Sequence, residues 1–324
     1  MPEQLNAGLQ KLNLKNPFSI AGSGEMAEIY YKETTSSTMN NARELLSQNP
    51  PTGTLVLASF QTAGKGRLEG RKWFSEKDES LMFTILIKNS DIGFALSLFP
   101  LFVGFCISGF LEKEFAIKSA IKWPNDVLVN GRKISGILCE NSSGYVLCGI
   151  GLNCRQSPVQ LGQDNQYNIE EVCGTDAASC ARHANAGSDT LCPPPHSVTC
   201  KARAKRAQDR GNGVSIYELT GVKPDINDTL IKLLDFMKEN WNFPADRALQ
   251  AKVPARRSWY WKDVVLEKLH NKGKKITFYE NLHENPKAIT GIIEGIGPDG
   301  ELLITDDAGR TKKYYSGEIS TSCR

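Results

Sequence analysis

The longest apolar pattern along the chain runs from Ile92 to Leu111, twenty residues without a charge. That length suffices to cross a bilayer. The run nevertheless contains Pro100, three glycines and two serines, lies between strand-like segments, and has no second apolar span to accompany it. It reads as the buried helix of a soluble α/β domain. Just before it, Leu81 to Lys88 is nearly continuous in apolar residues, as a central strand covered on both faces would be. Glu28 to Glu33 and Thr54 to Phe60 read as further strands. Between them Ser36, Ser37 and Thr38 offer N-cap oxygens to a helix through Asn41 to Leu46, which Pro50, Pro51 and Gly53 end. After the apolar helix, Ala116 to Trp123, Val127 to Val129, Lys133 to Glu140 and Tyr145 to Leu152 follow as strands, with Asn-Gly and Ser-Gly turns among them. Many neighbouring strands with few helices predict an α+β fold, a mixed β-sheet with flanking helices rather than a doubly wound sheet.

Beyond Asn153 the pattern breaks. Cys173 to Gly211 is rich in Ala, Cys, Arg, His and Pro and shows neither helical nor strand periodicity. Residues 157–211 read as a disordered insert. Regular pattern returns at Val214 to Leu219. Leu230, Leu233, Leu234 and Met237 then mark the core face of a helix over Asp225 to Trp241. From about Arg256, short strands with turns at Asn271 to Gly273, Gly297 to Gly300 and Asp306 to Gly309 predict a small β-barrel. The expected organisation is an N-terminal extension (1–25), a catalytic domain (26–250) holding the insert, and a C-terminal barrel (255–324).

Composition narrows the function. A chain of 324 residues can bury a sizeable core. Its formal net charge of +3 gives no electrostatic case for nucleic-acid binding as the main activity. The first 24 residues lack the apolar core of a signal peptide. Nine cysteines are scattered, and Cys106, Cys139, Cys148 and Cys154 fall in apolar contexts, so a reduced, cytoplasmic protein is expected. The cysteines and histidines of the insert (Cys173, Cys180, His183, Cys192, His196 and Cys200) lack the paired spacing of a zinc module. Its basic run from Lys201 to Arg210 reads as a solvated face.

The candidate chemistry sits in two basic, glycine-punctuated loops. One is Gln61-Thr-Ala-Gly-Lys-Gly-Arg67 with Gly70-Arg-Lys-Trp-Phe-Ser75; the other is Lys122-Trp-Pro-Asn-Asp126, leading into Arg132-Lys-Ile-Ser-Gly-Ile-Leu138. Glycines that let backbone approach a ligand, beside fixed positive charge and an aromatic, suit a planar molecule bearing phosphate. Ser37, Thr38 and Gln61 supply neutral donors and acceptors for an amide- or urea-like head group. Gly64, Gly66 and Arg67 are placed to wrap a phosphate. Lys122 and Lys133 are placed to neutralise charge that develops during acyl-adenylate chemistry. Asp126 is a candidate Mg²⁺ contact. Each feature also has a plainer reading: a helix cap for Ser37 and Thr38, core or groove aromatics for Trp73 and Trp123, and a common Gly-x-Gly turn.

Taken in order, these segments resemble the biotin–protein ligases over Glu28 to Leu152 and Val214 to Ser320. The Gly-rich loop with Trp73, the Lys-Trp-Pro-Asn-Asp segment, Arg132-Lys133 with Gly136-Ile-Leu138, and Gly149-Ile-Gly-Leu-Asn153 follow the family's order. The resemblance implies a class II synthetase-like catalytic domain, an SH3-like C-terminal domain ending in Ser316-Gly-Glu-Ile-Ser320, and biotin and ATP with Mg²⁺. It implies biotin contacts at Ser37, Thr38, Gln61, Gly64, Gly66, Arg67, Trp73, Lys133 and Gly136. Adenylate contacts are implied at Arg67, Trp73, Lys122, Asn125, Asp126 and Asn153. Lys133 would be the principal catalytic lysine, with Arg67 and Lys122 assisting and Trp73 as a lid. The implied partner is a biotin carboxyl carrier domain of a carboxylase, with a homodimer left open and neither nucleic acid nor membrane expected.

This chain departs from the family pattern in places. Leu68-Glu69 lengthens the first loop by one residue, Lys65 stands where arginine is frequent, Met39 stands where asparagine is frequent, and the insert has no counterpart. The alternatives are a lipoate or octanoyl ligase or transferase, a catalytically impaired biotin-binding protein, and a biotin-responsive repressor. For the last, the two dozen residues before the catalytic pattern are too few for a winged helix.

Overall fold

The apolar run Ser80–Lys88 forms β6, a central strand whose residues are buried through Ile87. In the computed structural model, which describes residues 8–13, 16, 27–68, 70–156, 213–241, 260–280 and 287–320, it lies inside an eight-stranded sheet. The other strands are β1 (Gln10–Leu12), β2 (Ile29–Thr35), β3 (Thr54–Gln61), β7 (Ala120–Lys122), β8 (Asp126–Val129), β9 (Arg132–Ser142) and β10 (Tyr145–Asn153). Their order is β1-β2-β3-β6-β10-β9-β8-β7. The β2–β3 pair is parallel and the remaining pairs antiparallel, so the sheet is mixed as expected. The insert 157–211 and most of the extension 1–25 lie outside the described residues.

The two faces are covered unequally, and that inequality creates the site. On one face lie α2 (Phe99–Phe115), α4 (Ile226–Asn240) and α5 (Tyr260–Glu267), over a core that includes Phe83, Ile85, Phe102, Ile107, Phe110 and Leu233. The Ile92–Leu111 run therefore resolves into a short 3₁₀ turn, Leu96–Leu98, and a helix that begins only at Phe99 and continues to Phe115. Leu96–Phe115 is apolar and long enough to cross a membrane, yet most of it is buried inside this protein. On the opposite face α1 (Thr38–Leu45) is the one helix among the described residues, with Met39, Ala42 and Leu45 packed on Val56, Leu86 and Leu147. Eight residues span only about 12 Å of helix, so much of this face is left for other uses.

Two expectations need correction. Ala116 to Trp123 is not one strand: Ala116 takes a left-handed conformation that closes α2, and pairing begins at Ala120. The C-terminal part opens with helix α5 rather than a strand, because Trp261 and Val265, four residues apart, bury one side of it. Val214 to Leu219 leads into a short helix, α3 (Ile216–Thr220), capped by Ser215. The C-terminal strands β11 (Lys275–Glu280), β12 (Lys287–Ile296), β13 (Leu302–Thr305), β14 (Thr311–Tyr314) and β15 (Glu318–Ile319) form an antiparallel sheet ordered β14-β13-β12-β11-β15.

Aromatic packing ties these parts together. Trp261 is 2% exposed and lies 5.3 Å from the Phe94 ring and 5.5 Å from Phe102. Truncating such a side chain leaves a cavity, so Trp261→Ala should cost about 3–5 kcal/mol. An unchanged urea midpoint would show that this contact contributes nothing. Trp123 is also a tie: its indole donates to the Gly300 carbonyl at 2.9 Å, and its ring packs 6.1 Å from Phe278. The core reading of Trp123 holds. Cys106, Cys139, Cys148 and Cys154 are free thiols, and burial pushes Cys154 up to about 12.

Candidate functional site

Where α1 ends its coverage, the exposed face of β9 and β10 loses its side chains. Leu138 pairs with Gly149, and Gly136 with Gly151, across the two strands. Three glycines thus occupy a surface where alternation would otherwise raise side chains, and a trough results. Trp73 closes over it. The loop Gln61–Ser75 folds into a small hairpin of β4 (Gly64–Lys65) and β5 (Lys72–Trp73), an element the glycine content did not suggest. A Cβ at Gly151 would stand 2.4 Å from Cε2 of Trp73, and one at Gly136 3.1 Å from Cζ3. The indole lies directly on the glycine floor.

The resulting cleft encloses about 490 Å³, its open mouth included. Of the sequence-derived candidates, Ser37, Thr38, Gln61, Gly66, Arg67, Trp73, Asn125, Lys133 and Gly136 line it. Met39, Lys65, Leu138, Gly149 and Gly151, which the sequence placed in motifs or departures without assigning them contacts, line it as well. The alternation Gly149-Ile-Gly151 was the available signal, since only one face of a strand needs to be bare.

The inner, polar end is ordered by a hydroxyl relay. Thr84 donates to Thr38 at 2.9 Å, and the Thr38 N–H donates to Oε1 of Gln61 at 2.8 Å. That fixes the carbonyl of the Gln61 amide inward. Among the described residues its NH₂ has only the Met82 sulfur, at 3.4 Å, as a hydrogen-bond partner. The amide can therefore offer a donor to a ligand carbonyl. Ser37 has two jobs: it lines the cleft, and its Oγ caps α1 by accepting from the Met39 N–H.

The mouth is cationic. Lys133 is one-third exposed, sits 2.7 Å from Asp126 and lies over the Trp73 ring at 5.7 Å. Arg67 donates to the Gly317 carbonyl at 2.7 Å and pairs with Glu318 at 3.2 Å. Burial pulls the Arg67 guanidinium below its ordinary value, an effect that Glu318 opposes. Lys122 is likewise pulled down by burial and held up by Glu318 and Asp126.

Four candidates stand outside the cleft lining. Gly64 is in the hairpin, where its Cβ position abuts the Trp73 carbonyl at 2.5 Å. Lys122 lies beneath the mouth, 7% exposed. Asp126 is engaged by Lys133, and no cluster of three or more metal-ligating side chains exists among the described residues. A single carboxylate of this kind can still contact a magnesium ion whose other ligands are substrate phosphates. Asn153 is buried, and its amide nitrogen donates to the Lys133 and Val214 carbonyls at 3.2 and 3.1 Å. It is thus a structural tie that steadies the backbone of Lys133.

Comparison with known proteins is consistent with this geometry. The profile of the biotin/lipoate A/B protein ligase family matches residues 31–157, and that of the biotin protein ligase C-terminal domain matches 281–321. The bifunctional ligase/repressor BirA of Bacillus subtilis is 35% identical over 135 residues, covering 40% of this chain and 41% of that protein. A biotin–[acetyl-CoA-carboxylase] ligase of Mycobacterium tuberculosis is 29% identical over 50% of this chain and 62% of its own length. The chain thus spans about half the length of these curated relatives. Among solved structures, the biotin protein ligase of Aquifex aeolicus in complex with biotin and ATP superposes with a TM-score of 0.60 at 26% identity, covering 90% of this chain and 97% of that one.

Proposed function

Because the chain belongs to the biotin/lipoate A/B protein ligase family and also carries the biotin protein ligase C-terminal domain, we propose that it is an ATP-dependent biotin–protein ligase. One observation carries the reading: a single cleft joins an amide donor at its inner end to a cluster of cations at its mouth. A neutral, carbonyl-bearing head group fits the first and an acyl phosphate the second.

In the first step an oxygen of the biotin carboxylate attacks the α-phosphorus of MgATP. The phosphorus–oxygen bond to pyrophosphate breaks, and biotinyl-5′-AMP forms. In the second, the amine of an acceptor lysine attacks the acyl carbon and AMP leaves with the bonding pair. The Gln61 NH₂, oriented by Thr38, receives the ureido carbonyl, with Ser37 beside it. The glycine floor admits the acyl chain, and Trp73 covers it against water. Lys133 neutralises charge on the reacting phosphoryl group. Arg67, with Gly64 and Gly66, holds the loop over the adenylate. Lys122 supplies buried positive charge from below, and Asn125 and Asn153 fix the adjoining strands.

The catalytic domain at 26–250 and the barrel at 255–324 act on one cleft under this reading. The acceptor is a biotin carboxyl carrier domain, and the free thiols support a reducing, cytoplasmic setting. The C-terminal domain and the donor at Gln61 favour biotin over an octanoyl or lipoyl chain, which has no carbonyl at its far end. ATP-dependent transfer of labelled biotin to a carrier domain, run beside octanoate, tests the assignment. Equal use of octanoate, or no transfer of either acid, would overturn it.

Arg67→Gly removes the guanidinium that anchors the loop to Gly317 and leaves a residue compatible with any backbone conformation. The adenylate should then escape more readily. Biotinylation of a non-cognate protein such as serum albumin, measured against the parent, should rise by about tenfold, the effect of losing one charge-assisted hydrogen bond. Retention equal to the parent's would remove Arg67 from this role.

A further inference from the structure

The cations of the loop converge on a carboxylate that belongs to the C-terminal domain. Nη1 of Arg71 contacts both oxygens of Glu318, at 2.9 and 2.8 Å. Arg67 reaches the same carboxylate at 3.2 Å, and Lys122 at 3.7 Å. Two of these cations come from the glycine loop and one from the edge strand β7. Glu318 is the sole side chain that touches all three among the described residues.

Its backbone is set by the barrel. Ile319 is buried and pairs with Phe278, so the alternating position Glu318, opposite Tyr279, points away from the barrel core. Gly317 has φ of 139°, and a Cβ there would stand 2.1 Å from Cζ of Phe278 and 2.6 Å from the Tyr279 carbonyl. Only glycine fits, and the carboxylate is therefore delivered from a rigid base. Without it, three like charges would face one another under low solvent exposure and would repel. With it, four cations (Arg67, Arg71, Lys122 and Lys133) stand against two carboxylates (Glu318 and Asp126), which leaves an excess of positive charge for a polyphosphate.

We propose that Glu318 is a positioning residue for adenylation, holding Arg67, Arg71 and Lys122 together so that the C-terminal domain docks the glycine loop before nucleotide arrives. The proposal rests on the ligase reading given above. It differs from a loop that only ligand contacts would order, because the protein's own side chains make this tie.

The test uses the full-length chain and the variants Glu318→Gln, Glu318→Asp and Arg71→Gln, in biotin-dependent exchange of pyrophosphate into ATP. Glu318→Gln should raise KM for ATP by about tenfold or more and leave KM for biotin within about threefold. Glu318→Asp should recover part of the loss, and Arg71→Gln should resemble Glu318→Gln. Without ligand, trypsin should cut the loop at Lys65, Arg67 or Lys72 faster in Glu318→Gln than in the parent. A KM for ATP that is unchanged or lowered overturns the proposal. So does a parallel rise in both constants with a lower Tm, which would make Glu318 domain glue only. Should Glu318→Gln fail to fold, Arg71→Gln breaks the same node and decides the question. A parent without biotin-dependent exchange would remove the ligase reading instead, and the protease comparison would still judge the docking of the loop.

Discussion

Lys133→Ala is expected to lower kcat/KM for adenylation by about 10²- to 10³-fold, the usual effect of removing one preorganised group that faces developing charge. Biotin affinity, measured by calorimetry without nucleotide, should change far less. Lys133 approaches the cleft from β9 with its ammonium on Asp126 and above the Trp73 ring. It is held there by the ties of Asn153 and Val214 to its own backbone carbonyl. A group so placed acts on the transition state more than on the resting ligand, so kcat and kcat/KM should fall together. A rise in KM for biotin with kcat intact would assign Lys133 to binding alone.

Gly151→Val is expected to weaken biotin binding by about 10- to 100-fold, as overpacking against a rigid ring does. The added Cβ would fall 2.4–2.8 Å from three atoms of the Trp73 indole, in the plane of the floor rather than at the end of a flexible chain. Trp73 must leave its seat or the strand must shift, and either narrows the trough. Valine suits a strand, so β10 should still pair with β6 and β9. The thermal midpoint should therefore move little while titration with biotin loses its heat. Binding within threefold of the parent's would show that the indole's seat is not part of the ligand site.

Lys133 and the glycine floor differ in how far the chain alone announced them. Lys133, Arg67 and Gln61 stand in ordered, glycine-rich segments whose spacing is local, and the segments between them are strands with clear apolar pattern. The central strand Ser80–Lys88, helix α4 and the mixed sheet were legible for the same reason: each is fixed by periodicity within a few turns or a few strand residues. Helix α5 was missed because its signal, Trp261 and Val265 on one side, is short. Asp126 was read as a candidate magnesium contact because that ion usually takes one or two carboxylates plus substrate phosphates, and the pairing of Asp126 with Lys133 was not legible. The bulged turn back from β8 into β9 brings Lys133 onto it.

The sequence by itself determined which residues carry charge, which segments pair or coil, and where backbone is bare enough for a ligand to approach. Those are properties of local chemistry and of periods of two or 3.6 residues. Only the tertiary structure decided which of these residues meet. Glu318 lies about 250 positions from Arg67 and Arg71, and no local pattern links a barrel strand to a glycine loop. Nor does composition reveal that Trp73 rests on a cross-strand pair of glycines, since that seat exists only once β9 and β10 are in register. Such contacts follow from packing two domains against each other, where burial and charge pairing, not sequence distance, choose the neighbours.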